Sequence, residues 1–117
     1  MKMTWLRDSN THYNGDKKMS NKNELGMTTH ILKTDSKVFQ ATYNGTKNFE
    51  IRMNDRDFKV GDILVLRETE FTGAEMCLND KPLIYTGREL TKKITYILDG
   101  SDYGQSDEWV IMSVQDA

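Results

Sequence analysis

One cysteine, one proline and two histidines are all that this 117-residue chain holds of those residue types. The lone Cys77 excludes an intramolecular disulfide and offers no zinc site, which fits a reducing cytoplasm. No histidine lies near it in sequence, so a small buried hydrophobe describes Cys77 better than a thiol nucleophile. His12 and His30 have no metal-ligating company along the chain, and neither a metal nor a cofactor is expected. Long apolar runs are missing too. Nothing approaches the ~20 residues of a membrane helix. Met1 to Arg7 has no apolar stretch long enough for a secretory signal, so a membrane is not an expected partner. P-loop, Rossmann glycine, nucleophile-elbow and His-Glu-x-x-His motifs are all absent. So is an excess of positive charge. A net charge of −2 does not draw nucleic acid by bulk attraction. The charge is unevenly spread, however: residues 1–27 sum to +2 and residues 28–117 to −4. Any phosphate-binding site must then be small and shaped.

What is present describes one soluble globular domain. Hydrophobic residues make up 37% and charged residues 29%, at a length that buries one core but not two. Residues 8–24 offer almost nothing to bury and cannot offset their ordering entropy. Residues 1–27 are therefore read as a flexible N-terminal extension, in which Trp5 and Leu6 can dock on the body or on a partner. Translation from Met19 or Met27 is an open alternative. The folded domain is expected over residues 28–117, starting near Thr28.

From there short strands dominate. Thr29 to Lys33 reads as a strand. Asp35 or Ser36 can cap a short helix through Val38, Phe39, Thr42 and Tyr43, which Asn44-Gly45 ends. Lys47 to Arg52 alternates, with Phe49 and Ile51 on one side and Asn48, Glu50 and Arg52 on the other. Met53 to Lys59 reads as a polar loop and Val60-Gly61-Asp62 as a turn. The continuous run Ile63-Leu64-Val65-Leu66 is expected to be a central strand buried on both faces. Phe71 to Leu78 and Lys81 to Gly87 flank Asn79-Asp80, a candidate hairpin tip, with Pro82 at an edge. Lys92 to Leu98 is expected to set Ile94, Tyr96 and Leu98 on one face. Asp99 to Glu108 reads as a polar loop, and Trp109 to Val114 closes the chain. The pattern predicts an α+β, mainly β domain, a small mixed barrel with one or two short helices. Met19, Met27, Met53, Met76 and Met112 are scattered, and core filling accounts for them.

The most informative stretch is Gly45-Thr46-Lys47-Asn48-Phe49-Glu50-Ile51-Arg52. Glu50 and Arg52 are i,i+2 on a strand and project to one face, with Lys47 able to reach back over it. One reading is an ion pair that ties the strand to a neighbour, worth ~0–1 kcal/mol at a surface. The other is a cleft wall, in which Lys47 meets a phosphate and Glu50 accepts from a base or sugar. A mixed arrangement is favoured, with Glu50 and Arg52 partly structural and Lys47 the most exposed to ligand. Asn54, Arg56 and Lys59 add donors for phosphate oxygens, beside Asp55 and Asp57. Tyr85 and Arg88 flank Gly87. The tyrosine can stack on an unpaired base, worth about 1–3 kcal/mol, or simply pack across strands.

These residues resemble a known family. Gly45-x-Lys47-x-x-Glu50-x-Arg52, then Phe58-Lys59-Val60-Gly61-Asp62-Ile63-Leu64, resembles the ASCH domain, a branch of the PUA-like fold. The wider likeness runs from His30-Ile31-Leu32-Lys33 to Val110-Ile111-Met112-Ser113-Val114 and takes in Asn54-Asp55-Arg56-Asp57 and Tyr85-Thr86-Gly87-Arg88. Within that superfamily it is most similar to a small uncharacterised ASCH-like family of bacteria and phages. The resemblance implies a compact β-barrel with a helix packed beside a cleft, and RNA or a modified nucleotide as ligand.

Three functions follow as expectations. The first is a non-catalytic nucleic-acid-binding module that uses Lys47, Glu50, Arg52, Asn54, Arg56, Tyr85 and Arg88. The second is a small nucleoside- or RNA-processing hydrolase with Lys47 as general base and Glu50 as its partner, which requires a lysine of lowered pKa. ASCH-type acetylcytidine amidohydrolases use a lysine, a threonine and a glutamate. Their lysine matches Lys47, but Glu50 stands where the threonine would. The third is a phage-type scaffold that binds a host protein through residues 1–27.

Overall fold

The structure, a computed structural model, describes residues 20–22, 27–99 and 108–117. Its elements are β1 (Ser20–Lys22), β2 (Thr28–Asp35), α1 (Ser36–Tyr43), β3 (Phe49–Met53), β4 (Ile63–Thr69), α2 (Gly73–Leu78), β5 (Tyr85–Asp99) and β6 (Trp109–Asp116). The expected α+β, mainly β architecture is what forms. One six-stranded sheet, ordered β1-β2-β4-β5-β6-β3, curls into a half-barrel with two short helices beside it. Only the β2–β4 pair is parallel among the described strands. Trp5, Leu6, His12 and most of the expected extension lie outside the described residues, as does most of the loop between Asp99 and Glu108. Within residues 1–27, Ser20–Lys22 pairs with Thr28–His30, a strand that the sequence pattern does not announce.

Alternation along β2 buries His30, Leu32 and Thr34, and along β4 it buries Leu64, Leu66 and Glu68. Leu32, Leu64 and Leu66 meet Ile94, Val110, Met112 and Val114 from β5 and β6 to form the core, which Phe39 of α1 closes. Met53, Met76 and Met112 are buried, in line with their expected filling role, and Cys77 is half-buried on α2. The helix stop at Asn44-Gly45 is as expected. Gly45 takes φ +81°, Thr46 N–H reaches Ala41 C=O and Gly45 N–H reaches Thr42 C=O, which together make a Schellman end.

Several expectations are overturned. Phe71 to Gly87 is not a hairpin, because Thr72-x-x-Glu75 is a capping box that starts α2. Thr72 Oγ1 accepts from Glu75 N–H at 3.0 Å, while the Glu75 carboxylate accepts from Thr72 N–H at 2.9 Å. Pro82 lies in the irregular link between α2 and β5, not at a strand edge. The Ile63–Leu66 run is sealed on one face only: Leu64 and Leu66 are buried, whereas Ile63 and Val65 are half-buried. Ile94 and Tyr96 do not share a face. Ile94 pairs with Val114 and Tyr96 with Ser113, so Thr95 is an extra residue that rephases the strand. Ile97 then packs on the core while Tyr96 is 60% exposed. The polar loop after Met53 is also less polar than it reads, for it delivers Phe58 into the core.

Candidate functional site

Lys47, Glu50 and Arg52 do come together, on the core side of β3. The alternation is inverted from the usual sense: Glu50 and Arg52 are buried and Phe49 is 46% exposed. Glu50 has both carboxylate oxygens engaged. Oε2 accepts from Lys47 Nζ at 2.7 Å and Oε1 from Arg52 Nε at 3.1 Å. Lys47 also donates to Phe49 C=O at 2.7 Å, and its side chain keeps 15% exposure against 3% for Glu50. Among the three it is the most open.

Arg52 then crosses to β2, donating to Lys33 C=O at 3.1 Å and to Thr34 Oγ1 at 3.4 Å. Arg56 follows, with Nη1 on Ile31 C=O at 2.6 Å. Both arginines therefore reach carbonyls along one edge of β2, beyond the Thr28–His30 stretch that β1 covers. Guanidinium groups, not a backbone ladder, close the half-barrel between β3 and β2. This is strong hydrogen bonding, since one partner is charged.

The polar band continues past Arg52. Thr34 is the register neighbour of Glu68 on β4, and both face the core side. Glu68 accepts from Ser36 Oγ and Thr86 Oγ1, each at 2.7 Å, and pairs with Arg88 Nε at 3.2 Å. The Ser36 hydrogen bond holds this carboxyl below its ordinary 4.5, helped by Thr86 and Arg88 and opposed by burial. A carboxylate of depressed pKa stabilises the fold above 4.5, and that contribution fades as pH falls through the lower folded value. Thermal melts from neutral pH to about 3 should show this loss, and Glu68→Gln should flatten it. Nearby Asp35 shifts the opposite way, raised by burial although it accepts from Gly73 N–H at 3.0 Å.

Arg88 carries the band to the surface. Its guanidinium lies 4.8 Å from the Phe39 ring centre and 5.3 Å from that of Tyr43, and Nη2 donates to Gln40 Oε1 at 3.0 Å. The hollow beside it, about 410 Å³, is lined by Phe39, Tyr43, Gly87, Arg88 and Glu89. Gly87 sits at φ +99°, a backbone state that side chains resist, so its bare backbone faces the hollow. Tyr43, 62% exposed, also lines a neighbouring hollow of about 450 Å³ with Asn48 and Lys92.

The remaining expected residues are placed elsewhere. Asn54 organises its own loop, with Oδ1 accepting from Phe58 N–H and its N–H donating to Glu108 C=O. Lys59 pairs with Asp57 in an exposed position. Tyr85 lies under Arg67, whose guanidinium carbon is 3.7 Å from the ring centre, on the sheet face away from Arg88. Sequence reasoning misses Ser36, Tyr43 and Glu68, because their meeting depends on where α1 lands. Among the described residues, no three His, Cys, Asp or Glu side chains converge as a metal site requires. Nor is any described helix long and apolar enough to cross a membrane.

Comparison with known proteins relates the chain to a protein family and to a phage protein. A family model described as a domain of unknown function, DUF3850, matches residues 29–114. The "Uncharacterized 12.9 kDa protein in GpA 3'region" of Escherichia phage P2 is 32% identical over 74 residues. That match spans 63% of this chain and 58% of the phage protein's length.

Proposed function

We propose that this chain, which belongs to the DUF3850 family, is an ASCH-type, PUA-like module that binds RNA or a modified nucleotide. The observation that carries the reading is the polar band from Lys47 to Arg88, which ends in an open hollow floored by aromatic rings. In this reading Glu50 and Arg52 hold the wall, Lys47 lies at its more open end, and Arg88 with Tyr43 meets the ligand. A base can stack on the exposed ring of Tyr43 while the Arg88 guanidinium, anchored on Glu68, takes a phosphate or a base edge. The bare backbone at Gly87 admits close approach.

Hydrolysis draws less support. Lys47 Nζ is already engaged by Phe49 C=O and the Glu50 carboxylate, which leaves it poorly placed to take a proton from a substrate. Fluorescence anisotropy with structured and with single-stranded RNA tests the binding reading. Tyr43→Ala with Arg88→Ala should weaken binding at least about tenfold, the equivalent of one lost stacking contact. Unchanged affinity in that double variant would sink the assigned hollow.

A further inference from the structure

The hollow of about 450 Å³ adjoins the one at Arg88, and Tyr43 lines both. Asn44 and Asn48, in the link after α1, form one wall; Lys92, Gln115 and Asp116 form the other. Lys92 is the unusual member. It lies on the core side of β5 near Ile94, and the residue is only 9% exposed. Its register neighbours are the fully buried Leu64 of β4 and Asp116 at the end of β6. A lysine so placed needs a counter-charge, and Nζ donates to Asp116 Oδ1 at 2.6 Å.

The two halves of this pair are held very differently. The lysine side chain is 11% exposed and the aspartate side chain 91%. Asp116 can turn into water at little cost, whereas Lys92 stays largely desolvated and requires another anion in its place. The acid is the replaceable partner. Asp116 is also the one acid among the residues described along this hollow. Neutral donors complete the surroundings. Asn44 Oδ1 accepts from Gln40 Nε2 at 3.0 Å, which leaves the Asn44 amide N–H groups as donors. Asn48 gives one N–H to Gly45 C=O at 3.2 Å and keeps the other.

Arg88 and Lys92 stand about 13 Å apart along β5 by strand rise. The exposed ring of Tyr43 borders the hollow of each. Resting on the RNA reading above, we propose that the ligand is a single strand with a phosphate on each side of the base stacked on Tyr43. One phosphate meets Arg88. The other meets Lys92 and takes the place of the Asp116 carboxylate, which acts as a built-in competitor. A nucleotide with one phosphate fills only one of the two positions.

Calorimetric titration of the full chain with a short single-stranded RNA tests this. Asp116→Asn should tighten binding at least about threefold by removing the competing charge. That gain should vanish in a Lys92→Gln background. Lys92→Gln alone should weaken binding and reduce the slope of log K against log salt by about 0.7, one phosphate of a single strand. It should leave a nucleoside 5′-monophosphate less affected than the strand. An equal gain from Asp116→Asn with and without Lys92 is general repulsion and overturns the proposal. RNA that binds through Tyr43 and Arg88 but ignores Lys92→Gln keeps the first hollow and overturns the second.

Inorganic phosphate separates the two readings. Followed by NMR, the Lys92 ε-methylene signal should shift with phosphate more in Asp116→Asn than in the wild type. Chloride at matched ionic strength is the control for screening. If RNA binds no variant, the strand falls together with the RNA reading, and the phosphate titration decides whether Lys92 is an anion site at all. Equal shifts with phosphate and chloride overturn that site. Asp116 is so exposed that its substitution leaves the fold intact, so this arm decides even if Lys92→Gln folds poorly.

Discussion

Glu50→Ala should destabilise the domain by about 3–5 kcal/mol, the range for breaking a buried ion pair from one side. The carboxylate is 3% exposed and is the shared acceptor for Lys47 and Arg52. Removing it leaves an arginine that is itself only 10% exposed without its acidic partner. Arg52 would keep Lys33 C=O and Thr34 Oγ1, but its orientation toward them depends on the Nε contact to Glu50. The loss should therefore spread to the closure between β3 and β2. In urea unfolding the midpoint should fall sharply with little change in slope, and the melting temperature should drop by well over 10 °C for a domain of this size. Lys47→Ala should be far milder, because Lys47 is the most exposed member and Glu50 retains Arg52. If Glu50→Ala and Lys47→Ala proved equally mild, the network would contribute no more than a surface pair.

Asp62→Ala should be the second severe substitution, at about 3 kcal/mol or more. Asp62 Oδ2 accepts from His30 Nε2 at 2.8 Å and from Lys59 N–H at 3.0 Å, while Oδ1 accepts from Thr28 N–H at 3.2 Å. His30 is fully buried, its ring edge-on to Phe58 at 4.7 Å between centres. One side chain thus satisfies two backbone donors and a buried imidazole across 32 residues of sequence. The turn that carries it is docked as well, since Gly61 N–H reaches Ile94 C=O and Ile94 N–H reaches Asp62 C=O. Alanine removes the acceptors and leaves the buried His30 ring and two half-buried backbone donors without them, the costly direction. Asp62→Asn should recover only part of the loss, because its one amide oxygen can replace Oδ1 at Thr28 N–H or Oδ2 at Lys59 N–H but not both. Chemical unfolding of both variants checks the ranking. Amide exchange should show Thr28 and Lys59 losing protection first in Asp62→Ala.

These two predictions also show where sequence reading works and where it stops. The i,i+2 spacing of Glu50 and Arg52 is local, and so is the reach of Lys47, which is why that constellation is legible. So is the end of α1, because Asn44-Gly45 carries its own backbone preference. The partners of Arg52 and Arg56 are carbonyls 19 and 25 residues away, and a carbonyl has no residue type to read. The His30–Asp62 pair is hidden for a similar reason: a histidine at a strand start and an aspartate in a turn each look ordinary alone. Thr72-x-x-Glu75 is legible in principle, but Asn79-Asp80 reads as a hairpin tip and so favours a hairpin over a helix of six residues. The extra residue at Thr95 cannot be found from β5 alone, since a bulge is a property of two paired strands. In the candidate site, Arg88 was within reach of sequence reasoning and its anchor Glu68 was not.

The guanidinium closure of the half-barrel has one more consequence. A strand edge with open carbonyls invites another chain to add a strand, and proteins commonly guard such edges with charge. Here β1 occupies the first part of the β2 edge, and Arg52 and Arg56 occupy the carbonyls beyond it. The same bonds that hold the fold together thereby blunt that edge against edge-to-edge association. Loosening them would trade a sealed domain for one that recruits copies of itself.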